Sequence, residues 1–566
     1  MKKPLKIMEE TMKRITIFLI LISFIVLPSV SIATTYYVSE LFGDDSNDGL
    51  SEATPFVTIQ KAADVMVAGD MVIVDFGEYH ESVVPKNNGT ADNPIVYMSK
   101  EKGEAEISTG ERIMLPTFVL HSGSIYMMEG VFRTINTLSE DGTPLLKKDH
   151  LDSLVAASWY HDRIDNKIYV WSSDDADPAT HADTVFFDEW SFDIIEGSYI
   201  TIDGFKIKNG IHAAVATNLV SLPGLVIKNN NFEGEAQDNY LLDTDPGVVK
   251  DIAILMDGGA ADPAHTYENF LITKNVFTDY YSGIKILNAG RNSTVSENTF
   301  NDIGLFDEND WTIRLEGSSD FSGVQCDGLV FERNWFEVFG RSLYFANGEI
   351  DGVTIKNNIA YNCGSLFAML YNTTNVDIIN NTIAFAGAEY AIRVRAESFG
   401  RIYNNIFAYN EKRSIYVEDL SAPDTTRFDY NYYVADTVRF YNGHPNENYI
   451  DIKQIRTKNP NASTRPGGPH AVYGHPVFDF DADGLPDSVD MTAPASPLFA
   501  DTTNGDLSLL SGSPAIDAGW VEVAPAVDFF GNARDDKPDI GAIEFGATDV
   551  AKSLKDLFPK DYQLSQ

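Results

Sequence analysis

Cysteine is nearly absent from this chain of 566 residues, with two in all, which excludes a disulfide scaffold and any all-cysteine zinc site. Positive charge is scarce as well: 42 Lys and Arg stand against 83 Asp and Glu, a net charge of −41. So acidic a surface repels phosphate backbones, and nucleic-acid binders need Lys and Arg to displace counterions, so no nucleic-acid partner is expected. No Gly-rich phosphate loop follows a strand and opens a helix, which leaves nucleotide and redox cofactors unindicated. The histidines lack metal-ligand spacing, the nearest approach being His470 and His475. Long apolar runs are also missing. The run Ile15 to Leu27 has thirteen residues, short of the roughly 20 that a membrane helix needs. What is abundant excludes disorder, since 44% hydrophobic and 12% aromatic residues suffice for a large core.

Residues 1 to 33 read as a secretory signal. Lys2, Lys3, Lys6, Lys13 and Arg14 precede the apolar run, and Ser31-Ile32-Ala33 supplies a small-x-small cleavage pattern. A retained anchor helix is the alternative. Cleavage removes five positive and two negative charges and leaves −44 on an exported chain, whether extracellular, periplasmic or at the cell surface.

A short unit recurs between about 199 and 420: a β-branched pair, one or two Asn, then an apolar or aromatic residue. Examples are Leu225-Val-Ile-Lys-Asn-Asn-Asn-Phe232, Phe270-Leu-Ile-Thr-Lys-Asn-Val-Phe277 and Val376-Asp-Ile-Ile-Asn-Asn-Thr-Ile383. With Asn230, Asn275, Asn298, Asn334, Asn357, Asn381 and Asn404 as markers, the spacings are 45, 23, 36, 23, 24 and 23. A period near 23 is one solenoid coil, 45 is two coils, and 36 is one coil with a long loop. Each unit holds two or three short strands with period-2 alternation and no helix caps, the pattern of a parallel β-helix. An Asn at the same bend of every coil can hydrogen-bond its neighbours above and below.

The ends carry further signatures. Near the start stand Tyr36-Tyr-Val-Ser39, Gly43-Asp-Asp-Ser-Asn-Asp-Gly-Leu-Ser51, Thr58-Ile-Gln-Lys-Ala-Ala63 and Gly77-Glu-Tyr79. Near the end stand Ser511-Gly-Ser-Pro-Ala-Ile-Asp-Ala-Gly519 and Asp539-Ile-Gly-Ala-Ile-Glu544. With the repeats, these make residues 34 to 545 resemble secreted right-handed parallel β-helix proteins of the pectin-lyase-like superfamily. The resemblance implies an all-β solenoid, a cap helix from Thr58 to about Val67, and a closing segment at the C-terminus. It does not imply one activity, since enzymes of several classes and non-catalytic surface proteins share the fold.

The expected organisation is a signal at 1–33, cap and first coils at 34–110, a β-rich insertion at 111–192 and central coils at 193–420. An irregular C-terminal region with the closing segment follows at 421–545, then a tail at 546–566. The insertion includes Trp159 to Trp171, two aromatic-rich strands around an Asp165-Asn166 turn. The two end signatures are expected to cap the solenoid, and the chain is expected to be a monomer.

Function must come from a site. The strand after each Asn bend is registered by inward apolar pairs: Ile284/Ile286, Ile313/Leu315, Leu343/Phe345, Leu366/Ala368, Ile392/Val394 and Ile415/Val417. The positions between face out and stack about 4.8 Å apart. They read Lys285; Arg314 and Glu316; Tyr344; Phe367 and Met369; Arg393 and Arg395; Tyr416 and Glu418, with Asp257 preceding if Ile254 and Met256 point inward. On so acidic a protein this strip suits an anionic polysaccharide. Aromatic faces stack on pyranose rings, and Arg forks hold carboxylate or sulfate. Phe367, Arg393, Arg395 and Tyr416 are the candidate substrate-binding residues. The bland alternative is a solvated face of paired charges.

Three activities stay open. The first is β-elimination on a uronic-acid polymer, which needs carboxylate neutralisation, a base for the C5 proton and a proton for the leaving oxygen. Lys285, Arg314 and Tyr344 supply these, and Glu316 with Asp257 could hold Ca²⁺. This arrangement looks like the Lys/Arg pair of β-helix lyases of the chondroitinase B and alginate lyase type, whose local motifs are otherwise unmatched. The second is glycoside hydrolysis by two carboxyl groups, since the chain start is also similar to the β-helix xylosidases at Gly69-Asp70, Gly77-Glu-Tyr79 and Pro85-Lys-Asn-Asn-Gly89. Glu316 sits near one catalytic place. The other falls around Ala346 and Asn347, where no carboxylate stands, and Asp307, Glu308 and Asp310 lie in the preceding loop. The third is sugar binding without chemistry.

A separate motif, Asp479-Phe-Asp481-Ala-Asp483-Gly484-Leu-Pro-Asp487, puts carboxylates at alternating positions before a Gly turn and suits a structural Ca²⁺. Cys326 and Cys363 could form a disulfide in an oxidising compartment, but their first reading is two small buried residues.

Overall fold

The computed structural model describes residues 33–546, except 130–136, 215–221, 235–251, 259–266, 305–310, 318–323, 418–426, 435–471, 479–487, 490–497 and shorter gaps of five residues or fewer. The signal at 1–33 thus lies outside the described residues but for Ala33, and so do the tail from 547 and Asp479, Asp481, Asp483 and Asp487. No helix among the described residues is long and apolar enough to cross a membrane.

Short strands wind into three long sheets in which every neighbouring pair is parallel, two of twelve strands and one of nine. One turn of the winding runs through Leu271–Thr273 in the first sheet, Val276–Thr278 in the second and Ser282–Leu287 in the third. It then returns to the first sheet at Thr294–Ser296. Side chains of the three inner faces meet in one core, so the architecture is a parallel β-helix. Parallel crossovers of this kind wind right-handed.

The core is built from repeated contacts. Phe232, Phe277, Phe300 and Phe336 stack along the axis with centroids 4.7, 4.7 and 5.1 Å apart and nearly parallel rings. The bend between the first and second sheets carries the Asn ladder. The Nδ2 of Asn230 donates to Oδ1 of Asn275, and the same bond repeats through Asn298, Asn334, Asn358, Asn381, Asn405 and Asn431 at 2.9–3.1 Å. Each such Oδ1 also accepts the backbone N–H of the Asn one coil earlier. The bend thereby satisfies groups whose burial unpaired costs about 1–3 kcal/mol each.

Two markers differ from the sequence reading, because Asn358 and Asn405 enter the ladder in place of Asn357 and Asn404. The residue before each ladder Asn turns the corner in the left-handed region, with φ 54° at Asn357 and 58° at Asn404. Asn tolerates that conformation better than most residues, which accounts for the Asn-Asn doublets. Asn357 and Asn404 bond instead to the C-terminal segment, through Val527 and Trp520.

At the N-terminal end the helix Ile59–Val65 starts at Thr58, whose Oγ1 accepts the N–H of Lys61, and it buries Ile59, Ala62 and Ala63 against the first coils. Between Ala105–Ser108 and Phe192–Ile195 two small, mostly antiparallel sheets are inserted. One pairs Ser158–Asp162 with Lys167–Trp171 over a core of Trp159, Ile168 and Val170. The closing segment departs from expectation. Its described residues do not sit on the end of the solenoid. Leu498, Leu507, Leu509, Ala515, Phe529, Ile540 and Ile543 pack along the flank, against outward residues of the second sheet such as Trp335, Ile359, Ile406 and Tyr432. Those outward positions are apolar, and a face of that kind needs cover. Cys326 and Cys363 are unpaired and buried, and burial pushes their thiols up to about 12 and about 11.

Candidate active site

The third sheet is nine strands from Phe192–Ile195 to Ile415–Val417. Its inward pairs Ile284/Ile286, Ile313/Leu315, Leu343/Phe345 and Ile392/Val394 are buried in the core. This fixes the outward register, and one row reads Leu255, Lys285, Arg314, Tyr344, Met369, Arg393, Tyr416, each residue directly paired with the next. The neighbouring outward row reads Asp257, Leu287, Glu316, Ala346.

Phe367 does not join the row. The inward pair of its coil is Ala368/Leu370, matched to Leu343/Phe345, so Met369 alone faces out there. Phe367 precedes the strand, where the chain is still turning and alternation has not begun. It lies fully in the core, edge-on to Phe336 at 6.1 Å. Glu418 falls outside the described residues. Asp257 does face outward, since Ile254 and Met256 are buried. Glu316, however, is engaged by Arg314 Nη2 at 2.5 Å, so the two acids do not present a pair of bare carboxylates to an ion.

Several residues that the sequence reading missed complete the face. Trp311 stacks on Tyr344 at 4.5 Å and 21°, with the Arg341 guanidinium 4.9 Å from the Trp311 ring. Arg314 lies 5.4 Å from the Tyr344 ring. Tyr390 stacks on Tyr416 at 4.3 Å, Arg393 sits 5.9 and 5.5 Å from these two rings, and Arg395 sits 5.0 Å from Tyr371. Met369 packs with Trp311, Tyr344 and Tyr390 in a small cluster of its own. Trp311 and Arg341 stand two residues before Ile313 and Leu343, on the parity that strict alternation turns inward, whereas Tyr371 stands one residue beyond Leu370 on the outward parity of Met369.

Electrostatics set these groups apart from an ordinary charged surface. Burial raises the Tyr344 phenol above its ordinary value, with Arg314 and Arg395 opposing and Glu316 adding to the rise, so it stays protonated at neutral pH. Arg314 Nε is buried without a hydrogen-bond partner among the described residues. Lys285 forms no ion pair among the described residues. A protonated phenol, a guanidinium held against a carboxylate, and an amine thus stand on three successive rungs.

Residues 265–468 match the family described as periplasmic copper-binding protein (NosD). A lacto-N-biosidase of Bifidobacterium longum subsp. longum is 33% identical over 90 residues, which is 14% of this chain and 6% of that protein. Among solved structures, the complex of XylC with xylose is 15% identical with a TM-score of 0.46, over 90% of this chain and 98% of that one. Pectate lyase Pel9A is 14% identical with a TM-score of 0.43, over 91% and 98%. The three parallel sheets and their Asn-laddered bend make the chain a parallel β-helix, and the family match falls largely on its central coils.

Proposed function

We propose that this is an exported polysaccharide lyase that cleaves a uronic-acid-containing polymer bound along the third sheet. The observation that carries the reading is the register Lys285, Arg314, Tyr344 on one outward row. Arg314 neutralises the sugar carboxylate, which acidifies the C5 proton. Lys285 Nζ, in its neutral form, takes that proton, and the electron pair left behind becomes the C4–C5 double bond. The C4–O bond breaks, and the departing oxygen receives the Tyr344 phenolic proton. Glu316 holds the Arg314 fork in place, while Arg393, Arg395 and Tyr416 grip the polymer further along.

One observation favours a second reading, hydrolysis with inversion. Asp257 and Glu316 stand two rungs apart on the same row, about 9.6 Å at the backbone, against roughly 6.5–9.5 Å for inverting pairs. The place after Glu316 is Ala346, which is buried and carries no acid.

Incubation with alginate, pectate and chondroitin sulfate separates the readings. A lyase yields products with the ultraviolet absorbance of a conjugated double bond, a hydrolase yields reducing ends without it, and a binder yields neither. Absence of the ultraviolet signal across the panel overturns the lyase reading.

Copper enters only through the family's description, and the described donors do not suit it. No group of three or more His, Cys, Asp or Glu among the described residues stands close enough to hold a metal ion, and both thiols are buried in the core. Ca²⁺ is proposed instead at Asp479, Asp481, Asp483 and Asp487, on the chemistry of that loop. Ca²⁺ should raise the melting temperature of the wild type, and the variant carrying Asp481→Asn and Asp483→Asn should lose that rise. An unchanged rise places the ion elsewhere.

A further inference from the structure

The outward row of the third sheet does not begin at Leu255. Two rungs earlier it continues through His212, paired with Leu255, and Asp193, paired with His212. Here the side chains form a built arrangement. His212 Nδ1 lies 2.9 Å from Asp193 Oδ1, the shortest histidine–carboxylate contact among the described residues. The Trp190 ring stacks on the imidazole at 5.2 Å and 24°. The carboxylate assigns the Nδ1 proton, and the indole holds the ring plane, so Nε2 is presented with a fixed direction. Nε2 has no hydrogen-bond partner among the described residues, and the His212 side chain keeps 21% of its exposure while Trp190 keeps 8%.

From this geometry we infer that Asp193, His212 and Trp190 form a polymer-binding subsite at the N-terminal end of the same outward row, with His212 Nε2 as the group that contacts a sugar hydroxyl. The ligand class rests on the proposed function, and the position rests on the register alone. Leu255, the rung between His212 and Lys285, gives an apolar floor under the intervening part of the polymer. The rung spacing puts His212 about 9.6 Å from Lys285 along the row. That is too far to share the reacting bond, but it suits a hold on a part of the chain beside it. Asp193 acts through His212 and is a positioning residue. A sugar chain running from His212 to Tyr416 crosses seven further rungs, about 34 Å, so only long oligomers engage both ends.

Two measurements test this. In histidine-labelled wild-type protein, the His212 resonance should shift with long oligogalacturonates and not with short ones. In turnover, His212→Ala should raise KM for long oligomers roughly tenfold, the loss of one or two hydrogen bonds. It should leave kcat and the KM of short oligomers unchanged. His212→Gln, which keeps a donor and an acceptor, should recover part of the loss. An unmoved His212 resonance together with an unchanged KM overturns the subsite. So does a KM effect that is independent of length and accompanied by a lowered melting temperature, because that is a purely structural role. A length-dependent His212 shift with no cleavage of any polymer would overturn the lyase reading and leave the subsite standing.

Discussion

Lys285→Met should lower kcat on the cleaved polyuronate by about 10²- to 10⁴-fold, the usual contribution of a positioned base, with little change in substrate affinity. Met keeps the length and apolar stem of Lys, and position 285 faces out between Leu255 and Arg314, so no core contact is lost. Arg314→Lys is a separate probe. It preserves charge but not the fork that meets Glu316 at 2.5 Å, so the carboxylate-neutralising group loses its orientation. If Lys285 and Arg314 serve one transition state, the double variant should be little worse than Lys285→Met alone. Additive losses would mean that the two residues act on different events. Wild-type turnover in Lys285→Met would place the base elsewhere. Tyr344→Phe removes only the phenolic proton and keeps the stack on Trp311. Its effect should therefore fall on kcat and be largest with a poor leaving group.

The repeat was legible because a coil forces its chemistry to recur. The Asn spacing predicts both the winding and the bend, and the inward pairs Ile284/Ile286 and Ile313/Leu315 register the face that carries Lys285 and Arg314. What misled was local. At Phe367 the alternation was extended one residue past the start of a three-residue strand, and a strand that short gives periodicity little to average over. At Asn357 and Asn404 the choice within an Asn-Asn doublet depends on which residue turns left-handed, and composition does not reveal that. Trp311, Arg341 and Tyr390 were missed because cation–ring stacking joins residues of adjacent coils that lie far apart in sequence. The Asp193–His212 contact was missed for the same reason, since its partners come from successive strands. The flank position of the closing segment was hidden too, because its apolar residues would suit an end cap or a side cover equally well.

That segment supplies the largest expected effect on stability, which is for Arg534→Met. Arg534 Nη1 meets Glu544 Oε2 at 2.6 Å, with the two side chains only 2% and 6% exposed. The Arg534 Nη2 also donates to Asn357 Oδ1 and to the carbonyls of Gly541 and Ala542, tying the segment to the bend of a central coil. Asp528 and Asp539 are buried beside the pair. Removing the guanidinium leaves acids buried without their counter-charge, a loss of about 3–5 kcal/mol. In a solenoid, stability is a sum of local and neighbour terms, so the loss should appear as an earlier denaturant transition of the segment, with the far coils still folded. Arg534→Met combined with Glu544→Gln should recover part of it, because the stranded charge goes too. The pH response has a definite sign. Burial raises the Asp539 carboxyl to about 6, above its unfolded value near 3.8. The folded segment therefore holds a proton that the unfolded chain releases. This contribution to stability is complete below about pH 4 and is lost as pH rises through 6. Asp539→Asn should flatten the transition midpoint across that window, and a midpoint that still falls between pH 4 and 6 in this variant would assign the proton to another buried acid.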